Sequence, residues 1–378
     1  MRRFLLPLVL AAVAVVLFQP PARAIETSAR EAVVLDYATG QILFEKRARQ
    51  PMPPASMTKL MTAYIVFDRL RQTDLSMDDR FQVSEKAWRM RGSRMFVEVG
   101  SDVPVEDLLQ GLIVQSGNDA ATVLAEGLAG SVDAFAATMN AYAERLDMPA
   151  THFDNPTGWP DPDHRTSALG LARLARALIR DFPDHYARFF SQRSYTWNGI
   201  EQRNRNPLLG KVDGLDGLKT GYTRNAGYGL TASAERDGQR VITVVNGLDR
   251  PNGRADESAK LLAWAFREFR TLELFEAGET VDEAGVWMGE RARVPLVLDR
   301  PLALTLRADA ADELKVTASY DAPIPAPIAK GQRLGTLTVE APDQPKLERA
   351  LKAGEDVAEL GPFGRLTSSL QYLLTGAQ

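Results

Sequence analysis

Three short stretches of this chain carry residue types that can do chemistry together. "PPASMTKLMTAY" (residues 53–64) holds Ser56-x-x-Lys59, Ser116-Gly117-Asn118 follows 60 residues on, and Lys219-Thr220-Gly221 lies 103 residues beyond that. A serine hydroxyl is a poor nucleophile until a base takes its proton. Residues three apart on a helix share a face, so Lys59 Nζ reaches Ser56 Oγ if Ser56 opens a helix. A lysine acts as that base only when desolvation or a nearby cation pulls its pKa down. The residues after Lys59 supply the desolvation: Leu60, Met61, Ala63, Tyr64, Ile65, Val66 and Phe67 are apolar on nearly every side, the mark of a buried helix. The helix start adds unpaired N–H groups and positive potential for an oxyanion. Each motif alone also has a plain structural reading: an N-cap serine beside a solvated lysine, a capping turn, a strand start. Their joint occurrence in this order favours the chemical one.

The rest of the composition narrows the chemistry. There is no cysteine, which excludes thiol nucleophiles, thiolate metal sites and disulfide stabilisation, and only three histidines exist, His152, His164 and His185, with no metal-ligand spacing. No metal or cofactor is expected. Residues 1–24 read as a signal peptide: Arg2 and Arg3, an apolar run from Leu5 to Phe18 too short for a membrane span, and Ala22-Arg23-Ala24 as a cleavage site. Without them the net charge moves from −4 to −7, and no Lys/Arg cluster marks a nucleic-acid partner.

The elements that must position the three motifs follow from pattern. "REAVVLDYATGQILFEKRA" reads as a β-hairpin, and the Ser56 helix runs to about Leu70. Residues 84–147 read as a helical insertion, with Val105, Leu108, Leu109 and Leu112 at helical spacing and Asn118 or Asp119 capping the next helix. Residues 149–165 read as a surface loop, after which Thr166 or Ser167 caps a helix to about Arg180. Strands are expected at 227–236 and 240–248 around an Asp237-Gly238 turn, with Lys219 just ahead of the first, and a helix at 256–270. Period-two patterning at Leu302, Leu304 and Leu306, and at Leu314, Val316 and Ala318, predicts a small β domain over 272–350. The remaining 351–378 read as an amphipathic C-terminal segment and a possible membrane anchor, with Phe363, Leu366, Leu370, Leu373 and Leu374 on one face.

Ser-x-x-Lys, Ser-x-Asn and Lys-Thr-Gly in this order resemble the motifs of penicillin-binding proteins and serine β-lactamases. With "AVVLDYATGQILFEKRA", "LIVQSGNDA", "LKTGYTRNAGYGLTASA", "GRADESAKLLAWAFREF" and "PAPIAKGQRLGTLTV", the chain resembles a D-alanyl-D-alanine carboxypeptidase of the low-molecular-mass penicillin-binding type over most of its length. The resemblance implies an α/β (α+β) transpeptidase-like fold: an antiparallel sheet flanked by helices over 25–271, then the small all-β domain. It implies removal of the terminal D-alanine from peptidoglycan pentapeptides, covalent binding of β-lactams, and a place in the periplasm or on the outer face of the cytoplasmic membrane.

By the same resemblance, Ser56 is the acylated nucleophile, Lys59 its base, Ser116 the proton shuttle to the leaving D-alanine, and Asn118 a ligand of the substrate amide. Lys219, Thr220, Gly221 and Arg254 form the carboxylate site, and the Ser56 and Tyr222 N–H groups the oxyanion hole. Tyr222 departs from the family, where histidine is frequent. Two lysines in one cleft also lower each other's pKa, which suits Lys59 as a neutral base. Three rivals stay open: a triad through His152 or His164, a serine β-lactamase, and a catalytically silent peptidoglycan-binding scaffold. Against the β-lactamase, loop 149–165 offers Asp154, Asp161 and Asp163 but no glutamate. Trp159 and Trp197 are candidates for the cleft border, and Asp213 and Asp216 read as turn residues.

Overall fold

A computed structural model describes residues 25–365 apart from Asp343. The signal peptide read at 1–24 and most of the C-terminal segment, 366–378, lie outside the described residues. Two apolar strands open the fold, β1 (Glu31–Asp36) and β2 (Ile42–Lys46). A 3₁₀ turn, Ala55–Thr58, then leads into α1 (Lys59–Gln72), whose residues from Lys59 to Asp68 are all buried.

The segment expected to be helical from 84 to 147 is only partly so. β3 (Arg80–Gln82), α2 (Glu85–Trp88) and β4 (Asp102–Pro104) precede α3 (Val105–Gln110), and residues 89–101 form no helix. "RMRGSRMFVEVG" has no apolar period, and Gly92 and Phe96 take positive φ. After α3 comes a π-helical turn, Gly111–Gln115, then α4 (Asn118–Ala129) and α5 (Val132–Arg145). Neither Asn118 nor Asp119 is the N-cap of α4; Gly117 is, and it has no side chain to cap with.

α6 (Ala168–Asp181) is capped by Ser167, whose hydroxyl accepts from Gly170 N–H, and is followed by α7 (Pro183–Phe190) and a hairpin of β5 (Ser194–Trp197) and β6 (Ile200–Arg203). The central strands are β7 (Leu215–Thr223), β8 (Gly227–Arg236) and β9 (Gln239–Leu248). α8 begins at Pro251, earlier than its apolar periodicity suggests, because proline suits a first helical position.

The main sheet is antiparallel with strand order β2-β1-β9-β8-β7. Alternation sorts its side chains onto two cores. Val33, Leu35, Ile242 and Val244 pack among the helices carrying the Ser56 and Asn118 motifs, while Ala32, Val34, Val241 and Val245 pack with Leu261, Leu262 and Ala265 of α8. The expected fold class is thus observed. One expectation is corrected: Lys219-Thr220-Gly221 does not precede the first strand of the group but lies inside β7, the sheet's edge. Asp216 is likewise no turn residue; it sits in β7 and accepts hydrogen bonds from Tyr186 Oη and Arg240 Nη1.

The small β domain begins with β10 (Phe269–Phe275) and continues through β11 (Thr280–Trp287), β12 (Arg293–Val297), β13 (Leu302–Arg307), β14 (Lys315–Tyr320), β15 (Ile324–Pro325), β16 (Arg333–Glu340) and β17 (Leu347–Ala353). β10 pairs with β13, and six strands form a second sheet ordered β14-β16-β17-β12-β11-β15. β17 runs past residue 350, and Leu351, Ala353 and Val357 are buried in this domain's core, so the chain stays in the β fold beyond the expected boundary. Thr271 Oγ1 donates to buried Asp36 Oδ2 at 2.6 Å, joining β10 to the main sheet. Among the described residues no single helix is long and apolar enough to cross a membrane.

Candidate active site

Ser56 sits in the 3₁₀ turn that opens α1, with Lys59 one turn on. Lys59 is 1% exposed, and its Nζ lies 3.1 Å from Ser56 Oγ, 2.7 Å from Asn118 Oδ1 and 2.6 Å from the Thr157 carbonyl oxygen. This contact set has a direct proton reading. A neutral amine has two N–H bonds and one lone pair; two carbonyl-type acceptors take the hydrogens and leave the lone pair for the Ser56 hydroxyl. Burial brings the Lys59 pKa down to about 7, against a partial opposing pull from Asp119. Both forms are therefore well populated near neutrality.

Asn118 holds its place through three bonds. Oδ1 accepts from Lys59, Nδ2 donates to the Arg91 carbonyl at 2.6 Å, and its backbone N–H donates to the Ser93 carbonyl at 2.7 Å. Ser116, beside it, is buried and adopts a left-handed conformation, φ 66° and ψ 36°, at the end of the π-helical turn. A non-glycine residue there is held by its surroundings, and such strain gathers at functional sites.

β7 forms the other wall. Lys219 is 2% exposed, and burial, then Lys59, Arg205 and Arg254, push its pKa well down. Thr220 is buried beside it. Gly221 permits β7 to approach the nucleophile turn: a Cβ here would stand 2.8 Å from the Pro54 carbonyl oxygen. Tyr222 is half exposed and stacks on its cross-strand partner Tyr228, with centroids 4.1 Å apart and planes at 23°. The Arg254 guanidinium lies 5.5 Å from the Tyr228 ring centroid, and Nη1 is 3.5 Å from the Gly221 carbonyl oxygen. Arg254 Nε is buried and has no hydrogen-bond partner among the described residues. Arg254 and Arg205 give this end of the cleft positive charge beside Lys219, and a carboxylate arriving there favours the charged form of the lysine.

The same architecture recurs in known proteins. The family model described as D-alanyl-D-alanine carboxypeptidase, peptidase S11, matches residues 17–250. The chain belongs to this family. A second model, the C-terminal domain of penicillin-binding protein 5, matches residues 269–359. The D-alanyl-D-alanine carboxypeptidase DacD of Escherichia coli (strain K12) is 38% identical over 94% of this chain and 92% of its own length. Penicillin-binding protein 5 from Haemophilus influenzae superposes with a TM-score of 0.82 at 36% identity, covering 89% of this chain and 99% of that one. Penicillin-binding protein D2 from Listeria monocytogenes, solved in its ampicillin-bound form, superposes with a TM-score of 0.59 at 31% identity over 64% of this chain and 99% of its own. As a member of the peptidase S11 family, the chain is a serine-type D-alanyl-D-alanine carboxypeptidase working on the cell wall.

For this carboxypeptidase, the structure brings together the motifs that the sequence singled out and gives Asp119 and His164 roles other than the cap and the triad member read from the sequence. Asp119 is 1% exposed, and its carboxylate accepts from Met95, Phe96 and Ala120 N–H at 2.8–3.0 Å and from Val97 at 3.4 Å, pinning the loop that contacts Asn118. An acid directly after Ser-x-Asn was the available signal. His164 is buried; Asp154 N–H donates to its Nδ1 at 3.0 Å, so neutral His164 carries its proton on Nε2 and donates it to Thr58 Oγ1, 2.8 Å away in the nucleophile turn. Burial holds its pKa down at about 4. The histidine thus braces the turn and stands apart from Ser56 itself, which removes the triad reading. His152 pairs with Asp154 on the surface side. Trp159 borders the cleft, near Gly92 and Asn118, while Trp197 packs on the main core. Among the described residues no three metal-ligating side chains converge.

Proposed function

We propose that this chain is an exported enzyme that removes the terminal D-alanine from peptidoglycan stem pentapeptides through an acyl-enzyme on Ser56. The neutral Lys59 amine accepts the Ser56 proton as Oγ attacks the penultimate D-alanine carbonyl. The oxyanion develops against the backbone N–H groups of Ser56 and Tyr222, at the positive end of α1. Lys219, Thr220 and Arg254 hold the terminal carboxylate, with Gly221 leaving room for the strand to close on the site, and Asn118 bonds the substrate amide. When the C–N bond breaks, the departing amine takes its proton through Ser116. Water then attacks the ester, its proton passes to Lys59, and Ser56 is restored. No cofactor is required.

The contact set of Lys59 Nζ is the observation that supports this reading most directly, because it aims a lone pair of a half-neutral amine at Ser56. A β-lactam presents the same carboxylate and acyl carbon, as the ampicillin-bound relative illustrates for its own chain, and acylates Ser56. The test is twofold: release of D-alanine from a diacyl-L-Lys-D-Ala-D-Ala peptide, and intact mass after penicillin exposure. Absence of both D-alanine and adduct, or an adduct that persists in Ser56→Ala, refutes it.

Export rests on the signal read at 1–24, and attachment to the membrane surface on the amphipathic tail. Because Val357 belongs to the β-domain core, the deletion that tests the anchor starts after Leu360. Unchanged membrane association of such a truncated chain excludes the anchor.

A further inference from the structure

Of the two carbonyl-type acceptors on Lys59, the Thr157 carbonyl belongs to a loop, and a main-chain oxygen in a loop keeps one direction only where its peptide plane is fixed. The segment Pro156-Thr157-Gly158 lies along α1. The Pro156 carbonyl accepts from Thr62 Oγ1 at 2.8 Å and the Thr157 carbonyl from Lys59 Nζ at 2.6 Å. Lys59 and Thr62, three residues apart, share a face of that helix. Thr157 and Gly158 are buried, so their N–H groups need partners. The segment is neither helix nor strand, so no backbone ladder supplies them.

Asn155 does. Its Oδ1 accepts from Thr157 N–H at 3.2 Å, Gly158 N–H at 2.9 Å, Trp159 N–H at 3.0 Å and the Thr157 hydroxyl at 2.8 Å. Its Nδ2 donates to the Trp159 carbonyl at 3.0 Å. Three N–H donors meeting on one atom identify that atom as the amide oxygen. Asparagine commonly bonds the backbone two residues on; here one side chain gathers the whole turn through Trp159. The Thr157 peptide is therefore held by Asn155 while its carbonyl meets Lys59. We infer that Asn155 is a positioning residue of the reaction: it fixes the Thr157 carbonyl as the acceptor that, together with Asn118, aims the Lys59 lone pair at Ser56. This rests on the base role of Lys59 in the proposed function.

The experiment compares the parent, Asn155→Ala and Asn155→Asp as full chains. It measures penicillin acylation across the pH range of the Lys59 titration, D-alanine release from a diacyl-L-Lys-D-Ala-D-Ala peptide, and thermal unfolding. Asn155→Ala should lose about 10- to 100-fold in the high-pH acylation rate and in kcat, with KM within about twofold, because the base is misplaced and the substrate site is not. Asn155→Asp keeps the acceptor oxygen, and position 155 is partly exposed, so the new carboxylate stays in contact with water. It should recover most of the rate, with the pH midpoint moved upward, since an added negative charge favours the ammonium form of Lys59. The other charged or titratable groups that act with Lys59 are Asp119 on α4, Lys219 on β7 and His164 behind the turn. They are the same in all three proteins. A parent-like Asn155→Ala overturns the inference. So does an Asn155→Asp that melts with the parent yet acylates no faster than the alanine variant, or whose midpoint stays in place. If Asn155→Ala does not fold, Asn155→Asp decides alone by the same rate and midpoint. A parent that forms no penicillin adduct refutes the proposed function, and this inference with it.

Discussion

Lys59 Nζ and Asn118 Oδ1 lie 2.7 Å apart although 59 residues separate them in the chain. This contact closes the cleft between α1 and the helical insertion, and it fixes which way the Lys59 lone pair points. With the Thr157 carbonyl taking the other hydrogen, the base is oriented before substrate arrives.

Removing that acceptor frees Lys59 to turn away from Ser56. Asn118→Ala should lower kcat/KM for D-alanine release by about 10²–10³-fold, the usual cost of losing one polar group of a preorganised site. Thermal unfolding should change far less than activity. Equal activity in the variant and the parent excludes the orienting role.

Activity should depend on pH through Lys59. Because burial lowers its pKa to about 7, the second-order rate of penicillin acylation should rise as pH increases through about 7 and level off above it. The stability linkage has a definite sign. A lysine lowered in the fold binds fewer protons than in the unfolded chain between about pH 7 and its ordinary value near 10.4, so its contribution increases with pH across that window. The difference in Tm between Lys59→Met and the parent should therefore move in the parent's favour from pH 7 to 9. A pH-independent difference, or acylation that slows on leaving pH 6, contradicts the lowered base.

His164 acts on the nucleophile turn through Thr58 Oγ1. His164→Ala should reduce kcat about 10- to 100-fold with a smaller change in KM, since small misplacements of a reacting group are costly. His164→Gln, which retains a donor near the Nε2 position, should recover most of the loss. Failure of glutamine to rescue while both variants melt alike would argue against the bond as the cause.

Asp119 holds the Met95, Phe96 and Val97 end of the 89–97 loop on its carboxylate. Asp119→Ala leaves several backbone N–H groups unpaired in a buried place and should cost about 2–5 kcal/mol in a denaturant titration. Asp119→Asn keeps one acceptor oxygen and should fall between the two. A loss below about 0.5 kcal/mol for alanine would mean that the loop is held by other contacts.

Gly158 has φ of 77°, and a Cβ there would stand 1.8 Å from the Ala55 carbonyl oxygen. Gly158→Ala should therefore destabilise the fold by at least about 1–3 kcal/mol and slow acylation, because the clash falls on the residue before Ser56. A variant as stable and as active as the parent would show that the loop and the turn separate freely.

Parts of the molecule were legible because their causes are local. Ser56 and Lys59 are three residues apart, so helical geometry alone puts them on one face. β8 and β9 announce themselves by apolar runs around Asp237-Gly238, and both turn residues indeed take positive φ. The Ser167 cap is a contact over three residues. β7 was harder to see: "LDGLKTGYT" is poor in large apolar residues because its buried lysine and threonine face a cleft. The 89–101 stretch offered no period because it follows no helix ladder: the N–H groups of Met95, Phe96 and Val97 end on Asp119, and those of Gly100 and Ser101 on nearby carbonyls. β17 was hidden because "LERALKA" suits an amphipathic helix as well as a strand, and pairing with β16 and β12 decided it.

From the amino-acid order alone come the nucleophile and its neighbouring amine, the three motifs and their sequence, the cysteine-free and histidine-poor inventory, and the mixed class of the fold, all of which depend on residue type and on neighbours a few positions away. Tertiary structure alone decides that Lys59 is desolvated, that Thr157 and Asn118 share its hydrogens, and that Lys219, Arg205 and Arg254 gather at one end of the cleft. It also decides that His164, 106 residues from Thr58, braces the catalytic turn. Those facts depend on burial and on distances between remote segments, and neither quantity exists until the chain has closed on itself.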